Sequence, residues 1–268
     1  MLSIDQKFDK LKHTLISLKS VLVAYSGGVD STFLLKAAKE VLGDSIIAVT
    51  AVSPLYPAHE IEQAVNLASS LQVKHLSIQN NALSNNEFTK NSFDRCYVCK
   101  KSLFQHLRSL AVENKCSAVI DGTNADDVGT YRPGMQALKE LEIISPLLIS
   151  GLKKDEIRQL SKRFGLLTWD RPSYACLASR FPYGVKLNET DLIKVEKAEA
   201  CLRNLNDVQL RVRHYGDTAR IEVLPQDLKF YLEDKIKNEI ITTFKNIGYT
   251  YITFDLEGFR SGSMDEIL

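Results

Sequence analysis

The first segment with chemical potential is a six-residue string, Ser26-Gly27-Gly28-Val29-Asp30-Ser31. A continuous apolar run at residues 21–25 precedes it, and helical periodicity begins at Ser31. Two adjacent glycines allow backbone conformations closed to other residues, so N–H groups can converge on an anion, and the positive end of a following helix adds to the attraction. The string predicts a phosphate-binding loop, whereas a bare Gly-Gly would indicate only a connecting turn. The expected ligands are Ser26, Gly27, Gly28, Asp30 and Ser31.

Asp30 is the unusual member of this string, because a carboxylate among phosphates repels them unless a cation lies between. We therefore interpret Asp30 as a ligand of Mg²⁺, which prefers oxygen donors. The string also lacks the Gly-Lys-Ser/Thr ending of a Walker A loop. It therefore predicts a magnesium-dependent nucleotide site of a different kind.

Cysteines form the second group with chemical potential. Cys96 and Cys99 make a CxxC motif at the beginning of a predicted helix, a position that favours the thiolate. Alone, the motif fits a redox pair or half of a zinc site, but zinc normally takes four ligands and no second CxxC is present. With Cys176 as a third thiolate, the set favours a 4Fe–4S cluster whose fourth iron is open. Cys116 and Cys201 lie in apolar-periodic contexts typical of packing residues.

Alternating strands and helices must position these residues in the first part of the chain. Helices are predicted at 4–18, 31–42, 59–71 and 97–114, and strands at 21–25, 46–52, 73–78 and 117–121. This order is typical of an α/β fold with a doubly wound parallel sheet, whose ligands bind at the carboxyl ends of the strands.

Beyond about residue 181 the pattern changes to that of a small α+β domain. It predicts helices at 191–205 and 226–246, antiparallel strands at 209–214 and 218–223, and a last strand at 249–256. The boundary is expected within 171–184, where two prolines and a glycine occur. We therefore expect domains at 1–180 and 181–268.

Composition narrows the class of protein. Apolar residues make up 44% of the 268 residues and charged residues 25%, which is ordinary for a globular protein. The net charge of +1 gives no global field that would attract nucleic acid or an acidic membrane. Charges interrupt the N-terminal segment, and no apolar run reaches the length of a membrane span. We expect a cytoplasmic protein without a nucleic-acid partner.

The glycine string resembles the SGGxDS fingerprint of the PP-loop family, which includes GMP synthetase, NAD synthetase and tRNA-thiolating enzymes. The resemblance implies cleavage of ATP between its α and β phosphates, with AMP transferred to the substrate and pyrophosphate left in the loop. A second string, Asp121–Asp127, resembles the GTNxDD element of the same family. It implies that Gly122, Asn124 and Asp126 lie at the adenylate, although alone the string could be an Asx-rich turn.

Three further motifs are similar to those of the LarE family: Ala175–Gly184, Arg211-Val-Arg213 and Gly258–Gly262. That family inserts sulfur during synthesis of the nickel-pincer nucleotide that serves lactate racemase. The resemblance implies that Cys176 is the sulfur-donating cysteine. In one branch this residue surrenders its sulfur and becomes dehydroalanine, and that branch lacks the CxxC. The CxxC here suits the other branch, which holds a cluster on three cysteines.

The LarE resemblance also implies how the substrate is held. Two residues apart on a strand, Arg211 and Arg213 leave the same face and would hold the phosphate of a mononucleotide. Without the resemblance, a solvated polar face would be the simpler interpretation. Arg180 and Arg260 are expected companions, and Lys100 is a candidate partner of pyrophosphate or a carboxylate. Glu222 matches an acidic position of the family.

The expected reaction is adenylation of the carboxylates of a pyridinium-3,5-dicarboxylate mononucleotide, followed by attack of sulfur from Cys176 or from hydrosulfide. The expected cofactors are ATP, Mg²⁺ and a 4Fe–4S cluster, and a homo-oligomer is expected. The nearest alternative is a PP-loop tRNA thiolase, which should carry a basic RNA-binding domain. An amidating ligase would leave the cysteines unexplained. A nucleotide- and cluster-binding sensor without turnover is the alternative outside the enzymes.

Overall fold

The computed structural model describes residues 2–128, 133–172 and 175–266. The chain divides into two compact units. The first comprises Met1–Ala82 and Asp94–Tyr174, and the second Leu83–Phe93 and Ala175–Leu268. The units therefore divide six residues before the expected boundary at 180. In addition, the segment Leu83–Phe93, which the sequence pattern did not single out, belongs to the second unit.

Seven strands and eleven α-helices are formed by the described residues. The strands are β1 Val21–Ala24, β2 Ile46–Val52, β3 Lys74–Gln79, β4 Ala118–Ile120, β5 Leu210–Tyr215, β6 Thr218–Val223 and β7 Tyr251–Phe254. The helices are α1 Ile4–Leu18, α2 Val29–Leu42, α3 Ala58–Ser70, α4 Asn86–Thr89, α5 Arg95–Glu113, α6 Gly134–Glu140, α7 Pro146–Ile149, α8 Lys154–Arg163, α9 Glu189–Leu205, α10 Leu228–Tyr231 and α11 Asp234–Ile247. None of the helices described is both long and apolar enough to cross a membrane.

The sheet of the first unit is parallel throughout and has the strand order β3-β2-β1-β4. Side chains alternate between its two faces. Val21 and Val23 of β1 pack into a cluster that also contains residues of α1, α2, α3 and α8. Leu22 joins a second cluster that contains residues of α5 and α6. Because each face of the sheet has its own layer of helices, the predicted doubly wound α/β fold is confirmed.

Strand β1 lies at the point where the strand order reverses. The chain leaves β1 toward β2 and β3 on one side, whereas β4 pairs with its other side, Val21 lying opposite Ala118. In open α/β sheets, ligands bind at such a switch point, outside the carboxyl ends of the strands. The residues that follow β1 and β4 are therefore brought to one place.

The second unit has a three-stranded sheet of order β5-β6-β7. β5 and β6 are antiparallel, as predicted, while β7 runs parallel to β6. Leu210, Val212 and Ile221 face a core to which α9 and α11 contribute. The prediction of a single helix at 226–246 was wrong. This segment forms two helices, α10 and α11, because the non-helical ψ of Glu233, 136°, interrupts the helical backbone between them.

Candidate functional site

The glycine string closes on itself between β1 and α2. The Ser26 and Ser31 hydroxyls lie 3.1 Å apart, and the Ser31 hydroxyl donates to the Gly28 carbonyl at 3.2 Å. The backbone N–H groups of Ser26 and Gly28 donate to the hydroxyls of Ser31 and Ser26. Gly28 has extended backbone angles and is the N-cap of α2, so the loop leads directly into the positive end of a 14-residue helix.

Gly27 cannot be replaced without changing this loop. Its φ is +74°, in the left-handed region that favours glycine. A Cβ at this position would also lie 2.8 Å from the Ala64 Cβ on α3. Glycine is therefore required here both by the backbone conformation and by the close approach of a neighbouring helix.

The second string, which follows β4, contacts the glycine string. A Cβ on Gly122 would lie 3.1 Å from the Ser31 backbone nitrogen and 3.3 Å from its Cα. Asn124 accepts from the Asp126 N–H through its side chain at 2.9 Å, and its own N–H donates to the Asp127 carboxylate at 3.0 Å. Both strings therefore meet at the switch point, and the second is also an Asx-capped turn.

Lys154, a residue that the sequence did not single out, joins the two strings. Its Nζ lies 2.6 Å from Oδ2 of Asp30, and its backbone N–H donates to Oδ2 of Asp126 at 2.8 Å. The other oxygen of Asp30, Oδ1, is buried and has no hydrogen-bond partner. Burial raises the pKa of Asp30, and the ammonium of Lys154 opposes that effect.

One observation indicates that a magnesium ion would fit beside Asp30: its buried Oδ1 has no hydrogen-bond partner. A buried carboxylate oxygen without a donor is a ligand to which a divalent cation can bind without displacing a hydrogen bond. Asp126 and Asp127 lie on the adjoining turn and could contribute through water.

Cys96 and Cys99 lie in the first turn of α5. Cys96 is exposed, whereas Cys99 is half-buried, with its sulfur 3.9 Å from the side-chain nitrogen of Asn80. Cys176 is half-buried and belongs to the second unit. Within the described ranges, no group of three or more His, Cys, Asp or Glu side chains forms a metal site. The three-cysteine cluster therefore stays a prediction.

The main chain at Cys176 is held by its carbonyl oxygen. This oxygen accepts from the Ser179 N–H at 3.0 Å, the Ser179 hydroxyl at 2.9 Å and Nη1 of Arg180 at 3.1 Å. Nη1 of Arg180 also donates to the Ala175 carbonyl at 2.6 Å. Cys176 thus begins a short 3₁₀ helix whose backbone is tied to a guanidinium.

Arg180 itself is fully buried, and so is its carboxylate partner Glu199 on α9. Nε and Nη2 of Arg180 donate to the two carboxylate oxygens of Glu199 at 2.8 and 3.0 Å. Burial acts to raise the pKa of Glu199, but Arg180, with a smaller contribution from Arg211, outweighs it and lowers the pKa to about 2. Arg180 therefore orients the Cys176 segment and lies away from solvent, a placement that favours positioning over direct substrate contact.

Arg211 and Arg213 lie on one face of β5, but this face is not a solvated surface. Each is only 4% exposed. Arg213 donates to the Ser179 carbonyl at 2.9 Å and to the Glu222 carboxylate at 2.7 Å, while its Nε is buried without a partner. The guanidinium of Arg211 lies 5.2 Å from the ring centre of Phe259. Glu222, which matches an acidic position of the LarE family, is fully buried between Arg213 and Arg220.

The remaining predicted residues lie at two other places. Arg260 is partly exposed and pairs with Glu257 and Glu266, each at 3.1 Å. These carboxylates raise its pKa. Lys100 lies on α5 one residue after the CxxC motif, and its side chain crosses Gly134, where a Cβ would lie 2.7 Å from its Cδ.

Comparison with known proteins identifies the family of the chain. A family model described as NAD synthase matches residues 4–124, the part that carries the first nucleotide string and the beginning of the second. The pyridinium-3,5-bisthiocarboxylic acid mononucleotide synthase of Lactiplantibacillus plantarum is 35% identical over 271 residues, which cover 100% of this chain and 97% of that protein. The chain belongs to the LarE family.

Two other relatives define how far the LarE family likeness extends. An uncharacterized protein of Synechocystis sp. is 42% identical over 99% of both chains. The GMP synthase of Aeropyrum pernix is 26% identical over 170 residues, 56% of this chain and 33% of that one. Similarity to LarE therefore extends along the whole chain, whereas similarity to GMP synthase is partial, and the chain is a PP-loop protein.

Proposed function

We propose that this protein is an ATP-dependent sulfur transferase that converts the carboxylates of pyridinium-3,5-biscarboxylic acid mononucleotide into thiocarboxylates, for the nickel-pincer cofactor of lactate racemase. The observation that carries the proposal is the meeting of the two glycine-bearing strings at the switch point, in a chain whose full length resembles the synthase of Lactiplantibacillus plantarum. We further propose that it works in the cytoplasm as a homo-oligomer.

The first half of the reaction is adenylation. A carboxylate oxygen of the substrate attacks the α-phosphorus of ATP, the bond to the β-phosphate breaks, and pyrophosphate leaves. The N-terminus of α2, with Ser26 and Ser31, holds the phosphates by hydrogen bonds and by the helix dipole. Asp30 would hold Mg²⁺, which would supply charge stabilisation for the departing pyrophosphate. Lys100 is a further candidate for contact with pyrophosphate.

Substrate recognition is assigned to the arginines of the second unit. Arg211 and Arg213 carry positive charge on a buried face, and one N–H of Arg213 lacks a partner. A phosphate group would supply the acceptor that this N–H lacks and would be bound by charge-assisted hydrogen bonds. Arg260 is proposed as a further contact of the same phosphate group.

The second half of the reaction delivers sulfur to the acyl adenylate. A thiolate or hydrosulfide attacks the acyl carbon, and AMP leaves with the pair of electrons from the acyl–oxygen bond. This attack itself needs no general base, because a thiolate or hydrosulfide is already nucleophilic. If Cys176 itself attacks, the thioester is then cleaved by β-elimination: a base takes the Cα proton, the Cβ–S bond breaks, the thiocarboxylate leaves with the electrons of that bond, and dehydroalanine remains.

The presence of Cys96 and Cys99 leads us to propose the alternative sulfur source. Together with Cys176 they would hold a 4Fe–4S cluster, which would supply sulfur in place of the Cys176 side chain. In that case Cys176 would remain intact after each turnover. An external sulfide or sulfur donor would then be the second substrate.

One anaerobic experiment tests the whole proposal. The protein is incubated with ATP, Mg²⁺, the mononucleotide and sulfide, and pyrophosphate and the thiocarboxylate product are measured together with bound iron. Pyrophosphate release that requires the mononucleotide is expected, and release without it, or none, would contradict the function. Mass spectrometry of the recovered protein then identifies the sulfur source. With the cluster, each of the variants Cys96→Ala, Cys99→Ala and Cys176→Ala should lose sulfide-dependent product but keep pyrophosphate release.

Recovered protein that is lighter by one H₂S at Cys176, and that formed the product while free of iron, would contradict the cluster and support the sacrificial route.

A further inference from the structure

Lys154 has two attachments that differ in kind. Its backbone N–H is fixed to the Asp126 carboxylate at the first residue of α8. Its ammonium, at the end of four rotatable bonds, pairs with Asp30 at 2.6 Å. The main chain of Lys154 is therefore anchored to the second nucleotide string, while its charge is held by the first through a side chain that can turn.

The ion pair is one that can open. The side chains of Lys154 and Asp30 are 27% and 22% exposed, so neither charge is sealed from water. Ion pairs with this degree of exposure contribute little to stability and exchange partners readily. Opening the pair leaves Lys154 at the edge of the sheet where both strings end.

Carboxylates outnumber cations at this edge of the sheet, and negative charge there would repel the phosphates of a nucleotide. The carboxylate of Asp127 and the cations Lys154 and Arg158 lie close enough to act on Asp30. A third carboxylate, that of Asp126, accepts from the backbone N–H of Lys154. Incoming triphosphate would meet Asp30 as a repelling charge unless that charge is bound elsewhere. A divalent cation on Oδ1 and the Lys154 ammonium on Oδ2 would share the single negative charge of Asp30, and the two cations would repel each other there.

We propose that Lys154 exchanges partners when nucleotide binds: without nucleotide its ammonium supplies the counter-charge of Asp30, and with Mg²⁺–ATP it moves from Asp30 to a phosphate oxygen. The proposal rests on the proposed nucleotide function and adds a positioning residue to it. Because the ammonium of Lys154 repels a cation at Asp30 until it moves away, the free protein should bind a divalent cation weakly, and cation and nucleotide should bind together.

The exchange predicts opposite changes in two affinities when the lysine is removed. In Lys154→Met, Asp30 loses its competing partner, so Mn²⁺ alone should bind about fivefold or more tightly than to the wild type. The same variant loses a charge-assisted contact to phosphate, so α,β-methylene-ATP with Mg²⁺ should bind about tenfold or more weakly. Electron paramagnetic resonance of free Mn²⁺ and calorimetry of the nucleotide analogue measure these quantities without any turnover.

Lys153→Met is the matched control, because it removes the same charge from the adjacent exposed residue of the same chain segment. It should change neither affinity by more than about twofold, the scale of one screened surface charge. Lys154→Arg keeps the positive charge, so it should keep Mn²⁺ binding weak and retain part of the nucleotide affinity.

Three outcomes decide the matter. Unchanged Mn²⁺ affinity in Lys154→Met, in protein whose circular dichroism and unfolding midpoint match the wild type, would overturn the exchange. Looser binding of both ligands would show that Lys154 only supports the fold, and would overturn it as well. If the wild type binds no Mg²⁺–nucleotide at all, the proposed function itself fails, which is a distinguishable result.

Discussion

The nucleotide loop of the first unit and the arginine cluster of the second are both adapted to charged ligands, but they are built by opposite means. The loop relies on backbone: a glycine at φ +74°, a helix N-terminus and two serine hydroxyls 3.1 Å apart. The cluster relies on side chains, because Arg180, Arg211 and Arg213 lie buried against Glu199 and Glu222.

Because of this difference, side-chain substitutions should affect mainly activity in the nucleotide loop and mainly stability in the arginine cluster. A loop made of backbone donors can lose a side chain and still fold, because its conformation is set by glycines and by the helix that follows. A buried network of full charges cannot, since removal of one partner leaves the other without compensation in a medium of low polarity. The predictions below therefore separate loss of activity from loss of the fold.

The largest expected effect is that of Glu199→Gln. It leaves the fully buried Arg180 without a carboxylate, and the free energy of unfolding should fall by about 3–5 kcal/mol. Chemical denaturation at neutral pH measures this fall. The double change Arg180→Met with Glu199→Leu is the control, because it removes both charges, and it should recover part of the loss.

The same pair predicts a pH dependence. The pKa of Glu199 is lowered from 4.5 to about 2 in the folded protein. Its contribution is therefore present above about pH 4.5 and is lost as the pH falls toward 2. Between these values the free energy of unfolding of the wild type should decline more steeply than that of Glu199→Gln. If the free energy of unfolding of the wild type and of Glu199→Gln falls equally steeply between these pH values, this assignment is contradicted.

The next effect concerns activity without a large cost to the fold. Asp30→Asn should reduce pyrophosphate release about a hundredfold or more, because the charge that binds Mg²⁺ is removed. The unfolding midpoint should change little, since the Asp30–Lys154 pair is partly exposed. Initial rates at saturating ATP test the expected loss of pyrophosphate release, and a melting curve tests the expected constancy of the unfolding midpoint. Turnover at the wild-type rate would remove the nucleotide assignment.

Arg213→Ala should lower the unfolding midpoint, because the buried Glu222 carboxylate loses one of its two arginine partners. In the protein that folds, it should weaken binding of the mononucleotide and leave that of ATP almost unchanged. The loss of a charge-assisted contact corresponds to about 1.5–3 kcal/mol, which should be visible as a raised KM for the mononucleotide. Arg211→Ala should act in the same direction. Calorimetric titration with each ligand separates the two sites, and normal binding of the mononucleotide by both variants would make these residues structural.

The smallest effect compares two glycines at positive φ. Gly43→Ala should cost about 1 kcal/mol of stability by backbone strain alone, because no atom lies within 4 Å of the added Cβ. Gly27→Ala carries the same strain and also meets Ala64, so it should lose nucleotide affinity in addition. If both variants bind the nucleotide analogue equally well, the loop does not depend on Gly27.

Features that depend on neighbours along the chain could be predicted from the sequence. Helix α1 begins and ends at the predicted residues 4 and 18, since its apolar spacing and the Ser3–Gln6 capping box both mark it. The glycine string could likewise be recognised, because it combines steric freedom and hydroxyls within six residues. The alternating α/β order then fixed which strand ends would meet.

Features that depend on distant partners could not be predicted. Lys154 is 124 residues from Asp30, and no local pattern connects the two. Glu199 is an ordinary helical glutamate by spacing, and only the fold shows that it is buried against Arg180. The arginine face of β5 was open to a solvated interpretation for the same reason, because burial of a strand face depends on what covers it.

The backbone hold on residue 176 has a consequence for how this family can change. Three donors fix the carbonyl oxygen of Cys176, and none of them involves its sulfur. The scaffold is therefore indifferent to the chemical state of the side chain: thiolate, metal ligand or dehydroalanine leaves the same framework in place. Descendants can exchange one way of supplying sulfur for another at this position while inheriting the surrounding architecture intact.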